Sequence, residues 1–367
     1  MFGSVYENKK VLITGNTGFK GAWLSIWLQQ LGAKVYGLSD RVPTEPSIFE
    51  SLSLDNHINH HFCDIRDLPS IKKNIEDISP DFLFHLAAQP IVGLSYQNPV
   101  ETIEINVLGT ANILEAFRSL TNNCTGVFIT SDKCYENVEW KYGYRETDPV
   151  GGKDIYSASK GACEIIIHGF YESFIKHNQN LKLASVRAGN VIGGGDWADK
   201  RLVPDCIRAW SKEELVEIRN PRSTRPWQHV LEPLSGYLRT GQQLYQEKIS
   251  SGHAFNFGPP GDHSHTVEKI LEKIAHYWEA ESKNKLFTVR ESGEFHEAGL
   301  LKLNCDKALA DLQWISVLSF DDTAKFTALW YKKFYEGTEN MMEYTREQLK
   351  EYTEKAIQKD LAWTKAH

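Results

Sequence analysis

Five short, almost uninterrupted apolar runs limit what this chain can fold into: Val11-Leu12-Ile13, Val35-Tyr36-Gly37-Leu38, Phe82-Leu83-Phe84, Val127-Phe128-Ile129 and Leu183-Ala184-Ser185-Val186. A strand with one face in water alternates apolar and polar residues, whereas these runs suit strands covered on both faces, as in a parallel sheet between two layers of helix. The intervening stretches predict helices at about residues 18 to 31, 67 to 77, 99 to 118 and 154 to 177. Strand and helix in this order predict a doubly wound parallel α/β sheet of the Rossmann type. After Gly193-Gly194-Gly195 the alternation lapses, and Trp, Pro and Arg become frequent. The expected division is a Rossmann domain over residues 1–188, with a return to it near 229–257, and a smaller C-terminal substrate-binding lobe made mainly of residues 189–367. The charged stretch from Glu339 to Lys365 reads as an exposed helix with a solvated face.

A chain of 367 residues with 41% hydrophobic content can bury a sizeable core and is too long for one small domain. The net charge of -7, with both signs scattered and no Lys/Arg block, argues against nucleic acid as a partner. Any anionic substrate must then be held by a few placed cations. The start, Met1 to Glu7, lacks the charged and apolar segments of a signal peptide, and no apolar run approaches a membrane span, so a cytoplasmic protein is expected. Cys63, Cys124, Cys134, Cys163, Cys206 and Cys305 are dispersed with no C-x-x-C pair, and read as reduced packing thiols rather than disulfides or metal ligands.

Three motifs carry chemistry. Thr14-Gly15-Asn16-Thr17-Gly18-Phe19-Lys20-Gly21 follows a strand and opens a helix, the setting in which glycines allow a tight turn and let a helix N-terminus attract a pyrophosphate. At the end of the second strand, Asp40 suits the two hydroxyls of an adenosine ribose, as in NAD, while the adjacent Arg41 suits a 2′-phosphate; both readings stay open. Asp64, followed by Ile65, is placed either to meet an adenine amine or to cap a helix. Tyr156 and Lys160 lie one helical turn apart, so the ammonium can stabilise a phenolate that takes a proton from an alcohol. Ser131-Asp132-Lys133 adds a hydroxyl, a carboxyl and an amine 23 residues upstream of Tyr156, and that acid-base pair suggests elimination besides oxidation.

The glycine motif, His85-Leu86-Ala87-Ala88-Gln89, Asn106-Val107 with Gly109-Thr110, and the Tyr156/Lys160 pair together resemble the extended short-chain dehydrogenase/reductase family of nucleotide-sugar enzymes. The resemblance implies a bound NAD, with Gly15, Thr17, Gly18, Phe19, Lys20, Gly21, Asp40, Asp64, Ile65, Leu86, Ala87, Ala88, Tyr156 and Lys160 around it. It also implies that residues 85 to 88 line the cofactor and that Asn106 supports the active-site helix. Dehydratases of the family usually carry Thr-Asp-Glu where this chain has Ser131-Asp132-Lys133. The stretches Arg187 to Trp197, Arg201 to Asp205 and Arg225 to Pro233 resemble the branch acting on CDP-linked hexoses. That likeness implies CDP-glucose as substrate, with Gln89, Asn190, Arg225 and, as a companion, Arg201 reaching it.

In this reading Tyr156 takes the proton of the sugar 4-hydroxyl, Ser131 bonds the same oxygen, and Asp132 protonates the hydroxyl leaving C6. Lys133 stands where relatives have a carboxylate base, and it either takes the C5 proton or, charged, stabilises the enolate. A nucleotide-sugar 4-epimerase would use the same Tyr-Lys-NAD apparatus but needs no acid-base pair at C6. A noncatalytic NAD-responsive binding protein would be expected to lose Tyr156 or Lys160. The long helices predicted near 99 to 118 and 154 to 177 suggest pairing with a second copy as a four-helix bundle, in a homodimer or higher homo-oligomer.

Overall fold

The computed structural model describes residues 1–218, 220–260, 265–279, 287–289 and 300–365. Seven strands, all paired in parallel, form the central sheet: β1 (Lys10–Thr14), β2 (Lys34–Ser39), β3 (Asn59–Phe62), β4 (Phe82–His85), β5 (Cys124–Ile129), β6 (Leu181–Ala188) and β7 (Ala254–Phe257). Their spatial order is β7-β6-β5-β4-β1-β2-β3. The order reverses between β1 and β4, so the loops after these two strands diverge and leave a crevice at the carboxyl edge of the sheet.

The five apolar runs all lie within strands, and the inner ones are buried along their whole length. Helices cover both faces: α1 (Phe19–Gln30), α2 (Leu68–Ile78), the long helix α3 over 99–118, and α4 (Ile155–Phe170). Helix α3 is interrupted by a π-turn at Glu104–Leu108, and α4 continues into another at Tyr171–Ile175. Register brings the functional loops together. Thr14 pairs with both Leu38 and His85, and Ile129 pairs with Val186. The segments following β1, β2, β4, β5 and β6 therefore leave the sheet at one edge.

Past β6 come α5 (Leu202–Trp210) and α6 (Leu231–Tyr245), and α6 with β7 returns to the sheet, where β7 pairs with β6. Helix α6 is buried from Leu231 to Leu244. Through Glu232 it meets the segment leading into α7 (Phe320–Glu336) and helix α8 (Met341–Gln358): the carboxylate accepts from the backbone N–H of Val317 at 2.9 Å, the N–H of Leu318 at 2.6 Å and the Tyr352 hydroxyl at 3.1 Å. The charged C-terminal stretch does form a helix, but the expected solvated face is only half of it. Met341, Met342, Leu349, Tyr352 and Ala356 are buried, and Tyr352 stacks with Trp363 against Phe2 and Trp27. The charges of α8 occupy its outer face, and its apolar residues recur at helical spacing and pack inward.

All six cysteines are free thiols, five of them buried. No group of His, Cys, Asp or Glu suited to a metal occurs among the described residues, and none of their helices is long and apolar enough to cross a membrane.

Glu232 gives a stability prediction. Burial pushes its carboxyl from 4.5 up to about 7, against the pull of the two backbone N–H donors. The folded chain thus holds this proton more tightly than the unfolded one, and the contribution of Glu232 falls as pH rises through that window. Glu232→Gln should flatten this part of the stability-pH curve in denaturant titrations. Glu232→Leu, which leaves two buried N–H groups without an acceptor, should lower stability by about 2–4 kcal/mol. Equal pH slopes for wild type and Glu232→Gln would refute the assignment.

Candidate active site

The turn after β1 builds a cradle. Gly15 sits at φ +76°, and a Cβ there would lie 2.7 Å from the backbone nitrogen of Ala87; a Cβ at Gly21 would lie 2.1 Å from the Gly15 carbonyl oxygen. Only glycine lets the turn, the β4 loop with Leu86, Ala87 and Ala88, and the first turn of α1 approach this closely. Gly18 is the N-cap of α1 and supplies no side-chain bond, so the first N–H groups of the helix remain open to an anion. The Thr17 hydroxyl donates to the Arg41 carbonyl at 2.7 Å, locking the turn to the end of β2. Asp40 is exposed there beside Arg41, their charged atoms 3.7 Å apart. Phe19 packs near Gly193. The cradle, the open helix start and the acid at the end of β2 fit a dinucleotide.

Asp64 lies along the same rim, where Arg66 grips Oδ1 from Nε at 3.1 Å and Oδ2 from Nη2 at 2.7 Å and holds the carboxyl below its ordinary range. The helix cap proposed for Asp64 belongs instead to Asp67, which accepts from the Ser70 N–H. Ile65 packs against Gly109. His85, expected to line the cofactor, turns into the core, with Nδ1 2.7 Å from the Thr14 hydroxyl and Nε2 3.1 Å from that of Thr110. Burial holds its imidazole neutral, down near 3. Gln89 also turns away from the crevice. Its Nε2 donates to Thr102 at 2.9 Å, its Oε1 accepts from the Ile91 N–H, and its backbone N–H is held by Asn106 at 2.8 Å. Asn106 in turn donates to the Ser159 hydroxyl at 2.9 Å, joining this loop to α4.

Ser131, Asp132 and Lys133 form a single turn at the end of β5. The Ser131 oxygen accepts from the Lys133 N–H at 3.2 Å, and its hydroxyl donates to Asp132 Oδ1 at 2.9 Å. Tyr156 and Lys160 face this turn from the start of α4, which Asp154 caps at the Ser157 N–H. Burial pushes the Tyr156 phenol up to about 12, partly offset by a hydrogen bond with Ser131 and the positive charge of Arg201. Lys160 is 5% exposed, and burial lowers its ammonium. Lys133 forms no ion pair with Asp132, whose carboxyl turns toward Ser131 and Gly189. Lys20, at the start of α1, feels the charges of Arg201, Asp132 and Lys160; burial first, then Arg201, brings it down to about 8. The glycine turn and the catalytic turn thus converge electrostatically.

Of the residues expected at the substrate, Arg201 is paired with Asp196 at 2.7 Å and acts electrostatically on Tyr156. Asn190 follows β6 at φ +52°, its carbonyl accepting from the Gln228 N–H at 3.2 Å. Arg225 lies on the short strand Thr224–Arg225, with Nη1 on the Thr224 carbonyl at 3.0 Å.

Sequence reasoning missed a buried ion pair behind the site. Arg187 on β6 reaches both oxygens of Glu164 on α4, at 2.9 and 2.8 Å, and donates to the Tyr135 hydroxyl at 2.7 Å. Glu164 also accepts from the hydroxyls of Thr130 and Ser185. The signal was present: a charged residue inside an apolar strand and another on an Ile-rich helix each require a partner once buried.

The family model described as GDP-mannose 4,6 dehydratase matches residues 12–327. A CDP-glucose 4,6-dehydratase of Salmonella typhimurium is 43% identical over 351 residues, 95% of this chain and 97% of that one. A CDP-paratose 2-epimerase of Salmonella typhi is 27% identical, covering 78% of this chain and 89% of its own. Among solved structures, an epimerase from Methanothermobacter thermautotrophicus superposes with TM-score 0.77 at 23% identity, over 91% of this chain and 95% of that one. A dTDP-glucose 4,6-dehydratase from Bacillus anthracis, in complex with NAD, superposes with TM-score 0.73 at 19% identity, over 89% and 98%. From the family match and the 43% identity along nearly its whole length, the chain belongs to the GDP-mannose 4,6 dehydratase family.

Proposed function

We propose that this protein is an NAD-dependent hydro-lyase that converts CDP-glucose to CDP-4-keto-6-deoxyglucose and water. The observation that carries the reading is the Ser131-Asp132-Lys133 turn beside Tyr156 and Lys160, in a chain 43% identical to a CDP-glucose 4,6-dehydratase. The cradle of Gly15, Gly18 and Gly21 with Ala87 and Ala88 suits the pyrophosphate of NAD, Asp40 its adenosine ribose, and Asp64 with Ile65 its adenine edge. Bound NAD supplies the chemistry of accepting a hydride from C4 of the sugar and returning one to C6.

The side chains move the protons. Tyr156 accepts the proton of the 4-hydroxyl as its phenolate, the form that burial disfavours and that the charge of Arg201 favours, with Lys160 one helical turn away as its further support in this reading. Ser131 holds the same oxygen. Lys133 takes the C5 proton that the neighbouring ketone has acidified. Asp132 gives its proton to the hydroxyl leaving C6. Arg225 and Asn190 receive the diphosphate at the mouth of the crevice. An epimerase reading leaves Asp132 and Lys133 without work, and the dehydratase reading uses both.

The enzyme functions as a homodimer in this reading. Val100, Ile103 and Leu108 on α3 and Ile165 and Phe174 on α4 and its π-turn expose apolar surface along two adjacent helices, enough to pair with the same two helices of a second copy. Six unpaired thiols suit the reducing cytoplasm.

Four outcomes are expected. Incubation with CDP-glucose should yield a product one water lighter with no lasting change in NAD, whereas an unchanged mass would favour epimerisation or inactivity. Tyr156→Phe should lower turnover by about 10²- to 10⁴-fold and block C4 oxidation itself. Lys133→Met should instead let a 4-keto hexose that keeps its 6-hydroxyl accumulate, as read by mass spectrometry of quenched reactions; wild-type elimination by that variant would remove Lys133 from the mechanism. For the assembly, Ile165→Glu should halve the particle mass seen by light scattering, and an unaltered mass would place the interface elsewhere.

A further inference from the structure

Asp132 is directed by an absence. The residue facing its carboxylate across the end of the sheet is Gly189, and a Cβ there would lie 1.9 Å from Asp132 Oδ2 and 2.0 Å from its Cγ. No larger residue leaves Asp132 where it is. Gly189 has no left-handed backbone, so the glycine serves space rather than turning. Next to it, Gln228 is 2% exposed and donates both hydrogens of Nε2 to carbonyls, that of Gly189 at 2.9 Å and that of Phe257 at 3.0 Å. Those two bonds fix which end of the carboxamide is nitrogen. They leave Gln228 Oε1 as a buried acceptor with no partner.

Asp132, Gly189 and Gln228 line one cavity together with Pro226, Gly258, Lys302 and Leu303, which leaves about 10 Å³ for the centre of a water molecule. That is room for a single water or hydroxyl. A buried carboxamide oxygen without a donor costs free energy comparable to a lost hydrogen bond, which a hydroxyl delivered by a ligand would recover.

We propose that Gly189 and Gln228 form the seat of the leaving oxygen: the cavity beside Asp132 takes the sugar's 6-hydroxyl, and then the water it becomes, with Gln228 Oε1 as acceptor of its hydrogen. The inference rests on the dehydratase reading above. In the elimination, the C5–H bond breaks, its proton goes to the base and its electron pair forms the C5–C6 double bond. The C6–O bond breaks with its pair on oxygen, which takes the Asp132 proton and leaves as water. The proton Asp132 loses matches the one Tyr156 has gained from the 4-hydroxyl, and Ser131, bonded to Asp132 at 2.9 Å, stands between the two. Within this seat the 6-hydroxyl accepts from Asp132 while donating to Gln228, the arrangement that lines up the breaking C6–O bond with its acid.

Gly189→Ala tests the seat. The atoms its methyl meets belong to the end of one side chain, so the fold accommodates the change by turning Asp132 aside. In quenched single-turnover reactions with CDP-glucose, C4 oxidation should stay within about threefold of wild type, while elimination should slow by about 100-fold, the loss expected when a general acid is misdirected. The signature is a 4-keto hexose that retains its 6-hydroxyl. Gln228→Met, which removes the acceptor and frees the Gly189 carbonyl, should shift the same partition by about tenfold, one hydrogen bond's worth. This second variant decides the matter if Gly189→Ala fails to fold. Elimination at the wild-type rate in a folded Gly189→Ala, equal losses in both steps, or an unmoved partition in Gln228→Met would overturn the proposal. A wild-type enzyme that releases no water from CDP-glucose would instead refute the dehydratase reading, independently of either variant.

Discussion

The buried pair of Arg187 and Glu164 ties together the two halves of the catalytic geometry. One partner stands on β6 and the other on α4, one turn beyond Lys160, so their bidentate contact sets how far the helix lies from the strand. Arg187 then reaches Tyr135, Tyr135 reaches Asn256 on β7 at 2.8 Å, and Asn256 holds the Tyr144 and Asn304 carbonyls. Two charges removed from water this completely would be costly without such a set of partners, and removing either would strand the other. The turn of Ser131 to Lys133 lies directly between the members of this network. Its position relative to Tyr156 is therefore inherited from an interaction that touches neither.

Parallel pairing supplies the second level of order. Because every strand of the sheet runs the same way, each carries its following loop to the same edge, and register decides which loops become neighbours. The glycine turn meets the β4 loop because Thr14 pairs with His85. The end of β5 meets the end of β6 because Ile129 pairs with Val186, and this is why Asp132 and Gly189 face each other although they are far apart in the chain. The apolar content of these strands thus has a chemical outcome: it buries the sheet on both faces and leaves only its edge for polar work.

Much of this was legible in the amino-acid order. Runs such as Phe82 to Phe84 announce buried strands, and the glycine motif announces its turn, since both signals are local. The edge strand β3 was harder to read, because Asn59-His60-His61-Phe62 has neither the apolar density of a central strand nor a clean alternation. Helix α8 was legible as a helix but not as core, since its Lys and Glu residues outnumber the inward-facing Met341, Leu349 and Tyr352 that decide its packing. At the site, motif residues could be named individually, but not the direction of each side chain. His85 at the end of β4 and Gln89 in the loop after it turn away from the crevice, because Thr14 and Thr102 offer them buried partners. Gly189 and Gln228 lie within stretches that carry the resemblance, but nothing in those stretches assigns either of them a role. Their roles arise from space and unmet hydrogen bonding, which exist only once the chain is folded.

The π-turn at Glu104–Leu108 shows geometry stored in residue number rather than residue type. Each such turn holds one residue more than the α-helical turn it replaces, so everything beyond it is rotated about the helix axis by roughly 100° relative to an uninterrupted helix. Asn106 lies inside that turn, and through it bridges Gln89 and Ser159. An enzyme of this lineage that lost a single residue there could keep every side chain named here and still point Asn106 and the following Gly109-Thr110 the wrong way. Substitution and deletion are therefore not equivalent forms of drift along this helix: the first tests the chemistry of a position, the second its phase.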